Sequence, residues 1–74
     1  MKPIPHPSIL DELEPLGFVH GERRWRDEDG RLYTWDGLHC EVEVYTARGR
    51  HLAAVDPVTR SVLKQAVKGR RIKV

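Results

Sequence analysis

The chain has 74 residues, 39% apolar and 32% charged, which suits one small folded domain over residues 1–74 rather than a disordered segment. At this size roughly 60% of the unfolded chain's surface is buried, so about a dozen apolar side chains must make the core. Net charge is only +2, but residues 1–47 hold ten acids and five Lys/Arg, while residues 48–74 hold eight Lys/Arg and one acid, Asp56. A basic half favours a polyanionic partner; a solvated basic face or a charge-guarded edge strand is the plainer alternative. The single cysteine, Cys40, excludes an intrachain disulfide, and the four histidines form neither HxxxH nor HxH, so no metal or other cofactor is expected. No apolar run is long enough to cross a membrane and nothing reads as a signal peptide; a cytoplasmic protein without a membrane partner is the expectation.

Residues 1–7 carry Pro3, Pro5 and Pro7 and read as an extended arm. Ser8 then resembles an N-cap, with Asp11 three residues on and Ile9, Leu10 and Leu13 on one side. This predicts a short helix over residues 8–15, ended by Pro15 and Gly17. Residues 18–74 read as sheet. Residues 23–26 and 31–35 form a hairpin across the turn Asp27-Glu28-Asp29-Gly30. The next strand is expected over residues 39–46, with a turn at 47–50 and a partner over 51–55. Asp56-Pro57 marks another turn, residues 61–64 a short strand, and residues 70–74 a last one after Gly69. The predicted architecture is therefore α+β: a short N-terminal helix followed by a twisted antiparallel sheet of five or six short strands.

The strand at 39–46 carries the chemistry. His39, Glu41, Glu43 and Tyr45 alternate with Cys40, Val42 and Val44, so the apolar set can face a core while the polar set lines an open face. On an extended strand His39 and Glu43 would lie roughly 13 Å apart, a reasonable span for groups on opposite sides of one phosphodiester. Asp36, three residues before His39, can orient its ring and favour the imidazolium. Transesterification of RNA needs a base for the 2′-hydroxyl, an acid for the leaving 5′-oxygen and a cation for the phosphorane. Glu43, His39 and Arg70 or Arg71 can fill those roles, with Asp36 behind His39. Tyr33, Trp35 and Tyr45 could stack on bases, and His51, Lys68 and Arg71 could complete the substrate contacts. The plainer readings stay open beside these: a His and a Glu facing solvent, aromatics packed in the core, and His51 as a surface histidine after a turn.

A run of residues narrows the choice. Tyr33-x-Trp35-Asp36-x-x-His39-x-Glu41-Val42-Glu43-x-Tyr45, then Gly49-x-His51-Leu52, Asp56-Pro57-x-Thr59, Lys64 and Arg70-x-Ile72 resembles the cytotoxic ribonuclease domain of the ribosome-targeting colicins and cloacin. The resemblance covers residues 31 to 73. It implies a twisted antiparallel sheet that cuts 16S ribosomal RNA at the decoding centre without metal. It also implies that Asp36, His39, Glu43 and Arg70 match the catalytic positions and Tyr45 the active-site tyrosine. Cys40, Ala53 and Arg60 stand where the family pattern has glycine, which alters backbone freedom and not the acid–base set. The segment Glu22-Arg23-Arg24-Trp25-Arg26-Asp27-Glu28-Asp29 replaces the family's Gly- and Lys-rich stretch, so docking is expected to differ more than chemistry.

A chain that is essentially only the nuclease is expected to be the toxin of a toxin–antitoxin pair, neutralised by a separately encoded, acidic antitoxin or immunity protein. A piece of a larger secreted toxin is the alternative. Two competing functions are a ribosome-dependent mRNA-cleaving toxin and a non-catalytic RNA-binding module in which the basic half and the aromatics do the binding.

Overall fold

A computed structural model describes residues 1–74. Six strands form one antiparallel sheet in sequential order: β1 Glu14–Val19, β2 Glu22–Arg26, β3 Leu32–Asp36, β4 Glu41–Tyr45, β5 His51–Val55 and β6 Val62–Gln65. Tight turns join each strand to the next, so every pairing is local. The turn between β2 and β3 shows how: Asp27 accepts the Asp29 and Arg31 N–H groups at 2.9 Å each, and also the Tyr33 hydroxyl at 2.7 Å. Burial raises the Tyr33 pKa to about 12, and the bond to Asp27 adds to it.

The α+β expectation is wrong, because the chain contains no α-helix. Its only helical element is one 3-10 turn, Ile9–Glu12. The cap signal in the sequence is real: Ser8 Oγ accepts the Leu10 N–H, and Asp11 accepts the Ser8 N–H at 2.8 Å. The helix stops because Pro15 disfavours helical backbone at Glu14, leaving too few residues for a second turn. Glu14 and Pro15 instead open β1, where proline is tolerated on an edge strand. The expected last strand over residues 70–74 is reduced to an isolated bridge between Arg50 and Arg71.

One face of the sheet carries the core: Leu10, Trp25, Tyr33, Val42, Val44 and Val55, with Ile4, Ile9, Leu13 and Trp35 packed against it. The N-terminal arm and the 3-10 turn close over this face. Lys2 N–H donates to the Gly37 carbonyl at 3.0 Å and Ile9 N–H to the Pro57 carbonyl at 2.8 Å. The opposite face is covered by the last segment of the chain, where His51 N–H donates to the Arg70 carbonyl and Ile72 N–H to the Gly49 carbonyl. Gly49 has φ 89°, and any Cβ there would strike the Ile72 carbonyl. That close approach holds the C-terminal strap in place and brings Arg70 over β4.

Candidate active site

β4 is buried on both sides, so the face expected to be open is not. Val42 and Val44 enter the core as the alternation predicts; Glu41, Glu43 and Tyr45 are only 7%, 4% and 2% exposed. The covering strap changes their chemistry. Arg70 Nη1 donates to Glu43 Oε1 at 3.0 Å, and His51 Nε2 lies 3.1 Å from Glu43 Oε2. His51 Nδ1 accepts the Val67 N–H at 3.0 Å, so the ring proton sits on Nε2 and is donated to Glu43. The His51 ring is fully buried and meets Tyr45 edge-on at 5.3 Å. His51 is therefore neither a surface histidine nor placed to touch a substrate directly; it supports Glu43 from behind. Nothing in its spacing signalled this, because the contact needs the β4–β5 register and the strap together.

Burial raises the Tyr45 hydroxyl pKa; Arg70 opposes the shift and Glu43 adds to it. For Arg70, partial burial favours the neutral form, but Tyr45 and Glu43 outweigh it and the net shift is upward. Arg70 rather than Arg71 meets Glu43. Arg71 and Lys68 are exposed and make no side-chain bond to the cluster.

His39 occupies a different setting. It lies in the turn before β4, not on the strand, so the extended-strand spacing from Glu43 does not apply. Its Nδ1 is 2.8 Å from Asp36 Oδ2, while Asp36 Oδ1 accepts the backbone N–H groups of Leu38 and His39 at 3.1 and 3.2 Å. The His39 hydrogen bond is the main reason the Asp36 carboxyl pKa is lowered. His39 itself remains half-exposed.

Between these two settings lies a hollow of about 200 Å³, lined by Asp36, Glu43, Tyr45, Arg70, Thr34 and Trp35 among others. It joins the bottom of the sheet face to the turn that holds His39. Thr34, not singled out in the sequence, pairs with Glu43 across β3 and β4. The same alternation puts Tyr33 and Trp35 on the core side. Tyr33, expected as a substrate contact, is a core residue, 7% exposed, with its hydroxyl bonded to Asp27. Trp35 packs against the core, donates its indole N–H to the Lys2 carbonyl at 3.1 Å, and borders the hollow. Arg24 is a further buried residue that no sequence signal marks. It is 4% exposed beneath the strap and donates to the Lys73 carbonyl at 2.8 Å.

Carboxylate oxygens of Asp36, Glu41 and Glu43 can come within 4.8 Å of one another, which is cation-ligand spacing. Each of these groups already faces a donor: His39 for Asp36, Lys64 at 3.2 Å for Glu41, and Arg70 with His51 for Glu43. A family model described as Cytotoxic matches residues 17–73. The chain belongs to the Cytotoxic family. It is 43% identical to colicin E3 of Escherichia coli over 53 residues, covering 69% of this chain and 10% of that protein. The chain thus corresponds to about a tenth of the length of that relative.

Family membership bears out the resemblance and gives meaning to the glycine exchanges. Cys40 and Arg60 hold φ 55° and 67°, in the left-handed region that favours glycine. Ala53 has no such requirement; it lies in β5, paired with Val44 and Gln65. Two of the three exchanges therefore keep a glycine-type backbone with a side chain attached.

Proposed function

We propose that this Cytotoxic-family chain is an endoribonuclease toxin that cuts 16S ribosomal RNA at the decoding centre and so stops translation in the cytoplasm. The observation that carries this reading is that Asp36, Glu43 and Arg70 line one hollow, with His39 bonded to Asp36 beside it, within the segment that the family model matches. Glu43 is a carboxylate held by two N–H donors, with further lone pairs free for a 2′-hydroxyl proton. His39, half-exposed in the adjoining turn, protonates the leaving 5′-oxygen, and Asp36 fixes its ring. Arg70 stands beside Glu43, where a phosphorane's negative charge would develop. The step is carried by side-chain acid–base chemistry: the 2′-oxygen attacks phosphorus, the P–O5′ bond breaks, and one proton is taken up while another is delivered.

The same reading assigns an acidic antitoxin or immunity protein as the inhibitor. Arg48, Arg50, Lys68, Arg70 and Arg71 are all exposed on the strap and the adjoining turn, and a polyanion or an acidic protein would compete for them. Primer extension across 16S RNA after induced expression tests the proposal. One dominant stop in arrested cells is the expected result; intact 16S RNA in arrested cells would overturn it and favour mRNA cleavage or simple RNA binding.

A further inference from the structure

The segment in which this chain departs from the family pattern forms a feature of its own. In β2, Arg23 and Trp25 share one face, and the Arg23 guanidinium carbon lies 4.9 Å from the centre of the Trp25 ring. Arg23 is exposed and has no carboxylate partner, so the side of its guanidinium away from Trp25 is free. The pair stands on a hollow of about 510 Å³, whose walls also include Ile4, Leu10 and Trp35. This hollow and the one holding Glu43 and Arg70 share Met1, Glu22 and Trp35. The two hollows adjoin at these residues, on opposite faces of the sheet, the acid–base groups lining one and the Arg23–Trp25 pair the other.

We propose that the exposed Arg23 guanidinium, backed by the buried Trp25 indole, forms a stacking platform for an unpaired nucleobase of the RNA next to the scissile phosphodiester. The inference rests on the ribonuclease reading and names a substrate subsite for it. Three features favour a base over a phosphate. Trp25, Trp35, Ile4 and Leu10 give the hollow aromatic and apolar walls, beside the polar Lys2, His6 and Asp11. A guanidinium plane backed by an indole is a surface on which bases stack. Glu22, at the junction, repels phosphate but can accept a hydrogen bond from an exocyclic base amine. Arg23 supplies charge and a flat surface together, and lysine would supply only the charge.

The test uses the full chain with His39→Ala, which keeps RNA uncut, and a nonamer of adenosine as the probe. One ribose at a time is made abasic and binding is followed by anisotropy. Loss of a stacked base is expected to weaken binding roughly 5- to 20-fold at one or two adjacent positions. Arg23→Ala and Arg23→Lys should each abolish that position dependence, with thermal unfolding unchanged because Arg23 is exposed. Uniform abasic effects along the strand, or full position dependence in Arg23→Lys, would overturn the platform. A parallel arm follows ribosome cleavage by the unmodified chain. Cleavage without any position dependence removes the platform alone; position-dependent binding without cleavage removes the ribonuclease reading and leaves the platform.

Discussion

The two halves of the candidate site are built in opposite ways. The Asp36–His39 pair is local and half-exposed: partners three residues apart in one turn, fixed by two backbone N–H groups. The Glu43 cluster is buried and assembled at long range, from His51 eight residues away and Arg70 twenty-seven away. An exposed, locally tethered imidazole can exchange protons with solvent and reach a leaving group. A buried carboxylate between two fixed donors is preorganised and needs no reorientation when charge develops. The β3–β4 hairpin therefore offers one adaptable proton donor and one rigid acceptor.

The largest expected effects separate activity from stability. His39→Ala and Glu43→Ala should each lower single-turnover cleavage by roughly 10² to 10⁴, the usual span for a lost general acid or base. Only Glu43→Ala should also destabilise the fold, by about 1–3 kcal/mol, because it strips a partner from Arg70 and from buried His51. Urea unfolding of both variants checks this; equal stability losses would erase the contrast between the two settings. Glu41→Ala should cost less activity, since Glu41 does not line the hollow.

His51→Ala is the next most informative variant. It leaves the Val67 N–H without its acceptor and Glu43 Oε2 without its donor, at a cost of about 2–4 kcal/mol including the cavity. Activity should fall by roughly tenfold, less than for His39→Ala, because Arg70 still holds the carboxylate. A His51 variant with full stability and no activity would make His51 a direct participant instead of a support.

Acid titration of stability probes both a turn outside the site and one within it. Asp27 is held down at about 2 although its burial opposes this, because bonds from Arg31 and Tyr33 favour the carboxylate; Asp36 is lowered chiefly by His39. A depressed folded-state pKa contributes stability that is fully present above the ordinary value of 3.8 and is lost as pH falls through the folded value. The wild-type chain should therefore lose stability steadily from about pH 4 toward pH 2. Asp27→Asn should flatten that limb more than Asp36→Asn does, in denaturant titrations at each pH.

The smallest expected effect concerns the backbone of the His39 turn. Cys40 at φ 55° carries the strain of a left-handed side-chain-bearing residue. Cys40→Gly should stabilise the chain by about 1 kcal/mol, less any gain in unfolded-state entropy. A loss of stability would show that the half-buried Cys40 side chain contributes more packing than its backbone costs.

Much of this protein was legible along the chain, and the failures are of two kinds, local signals wrongly weighed and contacts made by a distant segment. The sheet strands follow from period-2 alternation and turn residues, and the Asp36–His39 contact follows from a three-residue spacing at a turn. The same alternation already set Tyr33 and Trp35 against Thr34 and Asp36, so their place on the core side was readable and was outweighed by the attraction of aromatics for bases. The helix failed because a good cap cannot sustain a helix that Pro15 interrupts one turn later. The places of His51 and Arg24 were not readable, and residue chemistry alone left Arg70 or Arg71 open until the family resemblance pointed to Arg70, since no local signal reports what a distant segment covers.

By itself the sequence determined the local geometry: which residues alternate, where the chain turns, and that Asp36 can hold His39. These depend on steric and hydrogen-bonding rules that act within a few residues. Only the tertiary structure decided that the polar face of β4 is buried, that His51 is a neutral support, and that Arg70 meets Glu43. Those outcomes depend on the strap crossing Gly49 and closing over the sheet, a long-range contact that changes solvation, charge partners and tautomer together.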